Sequence, residues 1–120
     1  MNNVIFYKDK YGKSEVEDYL QLLQQNNDKD SRIKVNKLIA YIEMLEKHGL
    51  AIGEPYIKRL NKDIWELRPI RNRILFANYE NNIFILLNVF IKQTKKTPKK
   101  EIKKAESMLK EFRKRSDNYG

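Results

Sequence analysis

The 120-residue sequence contains no cysteine, one histidine, four glycines and three prolines. Without cysteine the chain can form no disulfide and has no thiolate nucleophile, which fits a reducing compartment. A metal site is not expected, because zinc sites need several cysteine or histidine ligands and His48 stands alone at a predicted helix end. The glycines are scattered and form no phosphate-binding loop. The sequence therefore indicates no cofactor.

Long apolar runs are also missing. The longest, residues 83–91, has the length of a buried strand and is well short of the roughly 20 residues of a membrane helix. The N-terminal segment lacks the apolar stretch of a signal peptide. We therefore expect a cytoplasmic protein with no membrane association. Its length predicts a single domain over residues 1–120.

Positive charge is abundant. Lysine and arginine number 25 against 16 aspartates and glutamates, which gives a net charge of +9. This excess favours a polyanionic partner such as nucleic acid or an acidic protein. A charged surface that only keeps the protein in solution is the alternative, and composition does not decide between the two.

The N-terminal half predicts one strand and two helices. Residues 4–7 (VIFY) form a short candidate strand, and Ser14 begins a capping box for the first helix. Asp28 lies where it can cap a second helix, whose apolar residues recur at helical spacing up to a stop at Gly49. The two helices should form a hairpin.

The C-terminal half predicts three strands and a helix. Residues 64–68, 73–79 and 83–91 are rich in aliphatic and aromatic side chains. Thr97 and Pro98 should open the last helix as N-cap and first helical residue, and residues 115–120 should form a frayed tail. The expected order is β-α-α-β-β-β-α. We expect an α+β fold with a small, mainly antiparallel sheet packed by the helical hairpin and the C-terminal helix.

The pairing of these strands can be predicted from two connections. If Asn81 and Asn82 form a two-residue hairpin turn, Arg73 lies opposite Phe90. A four-residue connection from Pro69 to Asn72 puts Arg68 opposite Arg73. Because side chains alternate between the faces of a strand, polar groups then collect at one end of one face: Glu66, Arg68, Arg73, Phe90 and Lys92. The opposite face should pack against helices through Trp65, Leu67, Ile74, Phe76, Leu87 and Val89.

This polar cluster suits RNA chemistry. Guanidinium groups bind phosphate through paired N–H donors, and Phe90 offers a flat surface on which a base can stack. Cations there could also stabilise the charge that develops when a ribose 2′-hydroxyl attacks the adjacent phosphate. The alternative is a solvated basic face in which Glu66 forms a surface salt bridge with Arg68 or Arg73.

The segments EPYIKRL, IWELRPI, RILFANY and IFILLNVFIKQTKKTPKKEIKKA closely resemble the phage-derived HigB-like branch of the RelE/ParE toxin superfamily. The matching motif is P-x-x-K-x-L, W-E-L-R, an arginine that opens the next strand, F-x-K, and K-T-P before a helix. The resemblance covers the C-terminal half. Gln93 replaces a lysine of the family motif, and Asn88 and Val89 stand where the family often has a histidine.

The resemblance implies a RelE-like toxin of a type II toxin–antitoxin system that cleaves mRNA on the ribosome. It implies that the toxin needs no metal and has an adjacently encoded helix-turn-helix antitoxin. The catalytic residues would be Arg68, Arg73, Lys92 and Glu66. The RNA-binding residues would be Lys58, Arg71, Phe90, Lys95 and Lys96. A ParE-like inhibitor of DNA gyrase and a catalytically silent nucleic-acid-binding module are the alternatives.

Overall fold

The computed structural model describes residues 2–119. Its elements are β1 (Asn3–Phe6), α1 (Glu15–Gln25), α2 (Lys29–His48), a 3₁₀ turn (Gly49–Ile52), β2 (Ile57–Arg59), β3 (Ile64–Leu67), β4 (Asn72–Glu80), β5 (Ile83–Ile91) and α3 (Lys99–Tyr119). The strands form one sheet in the order β1-β5-β4-β3-β2. Only the β1–β5 pair of this sheet is parallel. The predicted α+β class with a mainly antiparallel sheet is confirmed.

Strand β2 is an addition to the predicted order. Its three residues pair with β3, and Lys58 lies opposite Glu66. Ile57 is its one buried residue, whereas Lys58 and Arg59 are exposed. A three-residue edge strand with two exposed charges has neither the length nor the alternation by which strands are recognised in a sequence.

The predicted caps of α1 and α2 are present. The Ser14 hydroxyl accepts a hydrogen bond from the Glu17 amide (3.1 Å), and an Asp28 carboxylate oxygen accepts one from the Ser31 amide (3.1 Å). Gly49 ends α2 with φ of 64°, a backbone conformation that glycine adopts without a steric penalty. The helical hairpin therefore begins and ends where local sequence predicts.

The start of α3 differs from prediction. The Pro98 carbonyl accepts a hydrogen bond from the Ile102 amide (3.3 Å), so Pro98 occupies the N-cap position and the helix begins at Lys99. Thr97 is not the N-cap, because its hydroxyl donates to Glu66 on β3 instead (2.6 Å). A side chain that was assigned to local helix capping thus makes a long-range contact.

The end of α3 also differs from the predicted frayed tail. Residues 115–119 continue the helix, and Gly120 lies outside the described residues. Arg115 fastens this end: it pairs with Glu111 (2.6 Å), donates to the Lys8 carbonyl and lies over the Tyr7 ring. Tyr7 in turn donates to Glu111 (2.6 Å). These contacts attach the helix end to the first strand.

Helices cover both faces of the sheet. The helical hairpin packs on one face, where Leu67, Ile74, Phe76 and Leu86 meet Val16, Leu38 and Leu45. Helix α3 packs on the other face, where Ile64, Leu75, Ile85 and Leu87 meet Ala105 and Leu109. Trp65 and Val89 face the hairpin as predicted, but Leu87 does not. None of the helices within residues 2–119 is long and apolar enough to cross a membrane.

The position of Leu87 follows from two irregularities in the β4–β5 pairing. Arg73 lies opposite Phe90 and Glu80 opposite Ile83, as the Asn81-Asn82 turn predicts. Between these ends, Leu87 is an extra residue on β5 and Tyr79 an extra residue on β4. Each extra residue shifts the register by one, and the two shifts cancel. Leu87 therefore moves to the α3 face, while the end of the sheet that bears Arg73 keeps its predicted pairing.

Candidate functional site

A small pocket lies at the end of the sheet that bears Arg73 and Phe90. It is on the α3 face, beside the first turn of that helix. The residues that line it are Glu66, Arg68, Arg73, Phe90, Lys92, Gln93, Thr94, Lys95, Lys96, Thr97 and Pro98. Five of these side chains are cationic and one is anionic, so the pocket is suited to an anion.

Three strands and one loop supply most of these residues, and Arg68 and Lys92 directly follow β3 and β5. Glu66 comes from β3, Arg73 from the start of β4 and Phe90 from the end of β5. The remaining wall is the loop 93–98, which we call the basic loop. Within it, the Thr94 hydroxyl donates to the Lys96 carbonyl (2.7 Å). The sheet thus forms a rigid floor, and the basic loop brings Lys95 and Lys96 over it.

Glu66 is the buried centre of the pocket, with 3% of its surface exposed. Its Oε2 accepts the Thr97 hydroxyl at 2.6 Å. Its Oε1 lies 3.4 Å from Arg68 Nε and 3.9 Å from Arg73 Nε. A buried carboxylate is stable only when it is paired and hydrogen-bonded. Glu66 is hydrogen-bonded through Oε2 and ion-paired through Oε1, in both cases with groups of the pocket.

Arg73 is almost as buried, with 6% exposed. Its Nη1 donates to the carbonyls of Ile70 (2.9 Å) and Asn72 (2.8 Å). Burial lowers the pKa of Arg73, while the charge of Glu66 raises it and that of Arg68 lowers it further. Arginine begins from a pKa above about 12 and stays protonated. Arg73 is therefore a fixed cation whose orientation is set by the backbone.

The loop between β3 and β4 holds that backbone in an uncommon conformation. Ile70 has φ of 54°, a region that β-branched residues rarely adopt. The Asn72 amide donates to the Pro69 carbonyl (3.0 Å), which closes the turn around Ile70. Strain of this kind persists where surrounding contacts fix it and is common at functional sites. Here the turn aims the Ile70 carbonyl at Arg73.

Seven of the nine residues that sequence reasoning selected line the pocket: Glu66, Arg68, Arg73, Phe90, Lys92, Lys95 and Lys96. Arg71 lies in an adjoining groove with Lys92 and Lys95, and the Lys92 amide donates to its carbonyl (2.7 Å). Lys58 lines neither. It pairs with Glu66 across the β2–β3 ladder and is exposed at the sheet edge.

Several polar residues of this region were not selected from the sequence as site residues, among them Gln93 and Thr94 of the pocket wall, Thr97 and Asn88. Thr97 was assigned to helix capping, although it binds Glu66. Asn88 is fully buried, and its Nδ2 donates to the carbonyl (3.2 Å) and the carboxylate (3.0 Å) of Glu101. Asn88 thus fixes the first turn of α3 to β5. Thr97 was missed because helix capping already explained it. The available signal for Asn88 was a single polar residue within the apolar run 83–91.

A known protein family matches most of the chain. The family described as Phage derived protein Gp49-like (DUF891) matches residues 18–110, which include the whole pocket. The chain belongs to this family. No curated protein sequence matches the chain.

Two solved structures share the fold of this Gp49-like protein. One is a YoeB-YefM complex from Staphylococcus aureus, with a TM-score of 0.51 and 18% identity over 78% of this chain and 98% of that chain. The other is a heterotetrameric YoeB-YefM toxin-antitoxin complex from the same organism, with a TM-score of 0.51, 17% identity and the same coverage. At these identities the likeness concerns the fold, and it agrees with the predicted α+β class.

Proposed function

We propose that this Gp49-like protein is the toxin of a type II toxin–antitoxin pair and that it cleaves mRNA on the ribosome. The observation that carries the proposal is the arginine pair, Arg68 and Arg73, held around one buried carboxylate in a pocket walled by three lysines. Family membership and a fold shared with YoeB-YefM complexes support it. The W-E-L-R and K-T-P motifs favour the HigB-like branch of the RelE/ParE superfamily.

The pocket suits cleavage by the RNA's own 2′-hydroxyl. In this reaction the 2′-oxygen loses its proton and bonds to the adjacent phosphorus. The bond to the 5′-oxygen breaks and that oxygen takes up a proton, leaving a cyclic phosphate and a 5′-hydroxyl. Negative charge grows on the non-bridging oxygens in the transition state. Arg73 and Arg68 are placed to stabilise that charge, and because arginine is already oriented, little reorganisation is needed. Lysine and arginine supply this positive charge, so the proposed reaction needs no metal.

The other pocket residues fit substrate binding. Phe90 lies beside the arginine pair and can stack on a base next to the scissile phosphate. Lys92, Lys95 and Lys96 surround the pocket and can bind neighbouring phosphates. Single-stranded RNA suits such a site because its bases can turn outward. Arg71 extends the same positive surface into the adjoining groove.

Two other functions make different predictions. A gyrase inhibitor of the ParE type acts by binding a protein, and a silent nucleic-acid-binding module needs only surface charge. Neither requires a buried carboxylate shared by two arginines and a threonine. This arrangement therefore favours catalysis.

Induced expression with mapping of mRNA 5′ ends separates the three functions. We expect growth arrest and new 5′ ends within coding regions. Arrest with DNA damage and intact mRNA would identify a gyrase inhibitor instead. Harmless expression with intact mRNA would identify a silent module. For variants of the pocket arginines, Arg113→Ala is the matched control. It removes one exposed positive charge, paired with Asp63, away from the pocket.

The partner we propose is an acidic, adjacently encoded antitoxin with a helix-turn-helix domain. Next to the basic pocket lies a groove in which Ile33, Ile70 and Ile91 are each almost half exposed and Arg71 is close by. An amphipathic acidic segment would cover both the apolar side chains and the positive charge. Co-expression and capture should give a stable complex whose association slows as salt rises. A harmless chain that captures no product of the adjacent gene would rule out the pair.

A further inference from the structure

The basic loop is attached to the sheet through one side-chain contact. Within the described residues, Thr97 is the loop residue that hydrogen-bonds to the floor of the pocket, and its acceptor is Glu66 Oε2 at 2.6 Å. A threonine hydroxyl has one proton to donate. Because that proton goes to Glu66, the hydroxyl connects residues that are 31 positions apart in the chain.

Glu66 is poorly placed to act as a general base. A general base must reach the proton that it removes with a free lone pair. Glu66 is 3% exposed, one oxygen accepts the Thr97 hydroxyl, and the other faces Arg68 and Arg73. Its two oxygens are thus directed at protein groups rather than at the opening of the pocket. This geometry fits a group that holds other groups in position.

We propose that Thr97 and Glu66 form a latch that positions the basic loop against the arginine pair, and that neither takes a proton from RNA. The latch assigns a role to the second threonine of the T-K-K-T-P segment. Thr94 shapes the loop internally through the Lys96 carbonyl, and Thr97 fastens it to β3. With the latch closed, Lys95 and Lys96 face the same pocket as Arg68 and Arg73.

The rigid neighbours of the latch explain why one hydrogen bond can set the loop position. Phe90 on β5 and Lys92 directly after it precede the loop. The Lys92 amide donates to the Arg71 carbonyl (2.7 Å), and Arg71 Nη2 donates to the Lys92 carbonyl (3.3 Å). After the loop, Asn88 fixes the first turn of α3 through Glu101. The loop is thus anchored at both ends, and Thr97 is its contact with the pocket floor. Hydrogen bonds to charged groups are stronger than neutral ones.

The proposed effect of the latch on cleavage rests on the proposed function, whereas its effect on the loop position does not. The experiment therefore has two independent readouts. The variants are Thr97→Val, which removes the hydroxyl and keeps the shape, Thr97→Ser, which keeps the hydroxyl, Glu66→Gln, and the double variant Glu66→Gln/Thr97→Val. Ser107→Ala, on α3 and outside the pocket, is the control for loss of a hydroxyl elsewhere in the protein. Melting temperature verifies that each variant is folded.

The first readout is amide hydrogen exchange in residues 93–97, which needs no activity. We expect faster exchange in Thr97→Val and in the double variant, and a smaller increase in Glu66→Gln, whose amide oxygen still offers an uncharged acceptor. Exchange should stay at the wild-type rate in Thr97→Ser and Ser107→Ala. Wild-type exchange in a folded Thr97→Val protein would overturn the latch. This result would stand whether or not the protein cleaves RNA.

The second readout is RNA cleavage. We expect a loss of about 10-fold in Thr97→Val, the size of one hydrogen bond to a charged acceptor. Thr97→Ser should recover activity. The double variant should lose little more activity than the more impaired single variant, because both changes act on the same contact. The pH–rate profile of Glu66→Gln should keep its acidic limb. The proposal would be overturned if the activity losses of the two single variants multiplied in the double variant, or if the pH–rate profile of Glu66→Gln lost its acidic limb. Absence of cleavage by the wild-type protein would refute the proposed function. The hydrogen-exchange results alone would then decide whether the latch exists.

Discussion

Replacement of Arg73 by alanine tests the site most directly, because Arg73 is the most buried cation of the pocket. The change removes the charge next to Glu66 and the two hydrogen bonds to the Ile70 and Asn72 carbonyls. Loss of one preorganised donor to a developing anion lowers a rate by about 10²–10³-fold. We expect a loss of cleavage of that size, enough to abolish growth arrest.

The same contacts predict an effect on folding. Each lost hydrogen bond contributes about 1 kcal/mol, so Arg73→Ala should reduce the free energy of unfolding by about 2 kcal/mol. For a domain of this size that lowers the melting temperature by roughly 8 °C. Reduced toxicity could therefore reflect a smaller folded population. A variant with similar or greater instability and an intact pocket is needed as a control.

Leu109→Ala provides that control. Leu109 is 2% exposed in the core under α3 and does not line the pocket. Its truncation should destabilise the protein by about 2–5 kcal/mol. Cleavage per folded molecule should stay near wild type in Leu109→Ala and fall steeply in Arg73→Ala. Wild-type cleavage by folded Arg73→Ala protein would refute the assignment of the site, and equal loss in both variants would show that stability alone is responsible.

Three further changes test separate features. Lys92→Ala should weaken binding of single-stranded RNA and reduce the slope of log affinity against log salt by about 1, since one phosphate contact is lost; an unchanged slope in a binding titration would exclude that contact. Burial and the bond to Glu111 raise the pKa of Tyr7 to about 12, so its hydroxyl should stabilise the fold below pH 10 and lose that effect as pH rises to 12. The stability difference between wild type and Tyr7→Phe, measured by chemical denaturation, should shrink over that range, and a constant difference would contradict the pKa. Ile70→Gly should melt at or above the wild-type temperature, because glycine relieves the positive φ and Ile70 is 48% exposed; a clear decrease would show that the side chain itself stabilises the fold.

Local signals predicted most of the elements. Ser14, Asp28 and Gly49 mark helix ends by backbone chemistry that depends on a few neighbouring residues. The long apolar strands are equally evident from composition. Strand β2 was missed because its formation depends on the neighbouring strand β3 rather than on its own sequence. The helical end of α3 was missed because Arg115 is held by Tyr7 and Lys8, which directly follow the N-terminal strand.

The predicted pairing of β4 with β5 at the site depended on one turn. The register set by Asn81-Asn82 brought Arg73 opposite Phe90, and the structure has that pair. A single bulge in the hairpin would have moved Phe90 to the other face. Two bulges of opposite effect, at Leu87 and Tyr79, leave the register of the far end unchanged. The sequence carries no clear signal for either bulge, so the correct pairing at the pocket depended on their cancellation.

The role of Glu66 shows where such reasoning needs the structure. Alternation along β3 places Glu66 beside Arg68 and Arg73, and from the sequence it could be a base, an orienting group or a surface ion-pair partner. Burial excludes the surface pair, since 3% of the residue is exposed. The hydrogen bond from Thr97 then occupies an oxygen that a base would need to keep free. That contact joins a strand to a loop that follows two further strands, so only the folded chain reveals it. It supports the proposal that the pocket acts through fixed positive charge rather than through a carboxylate base.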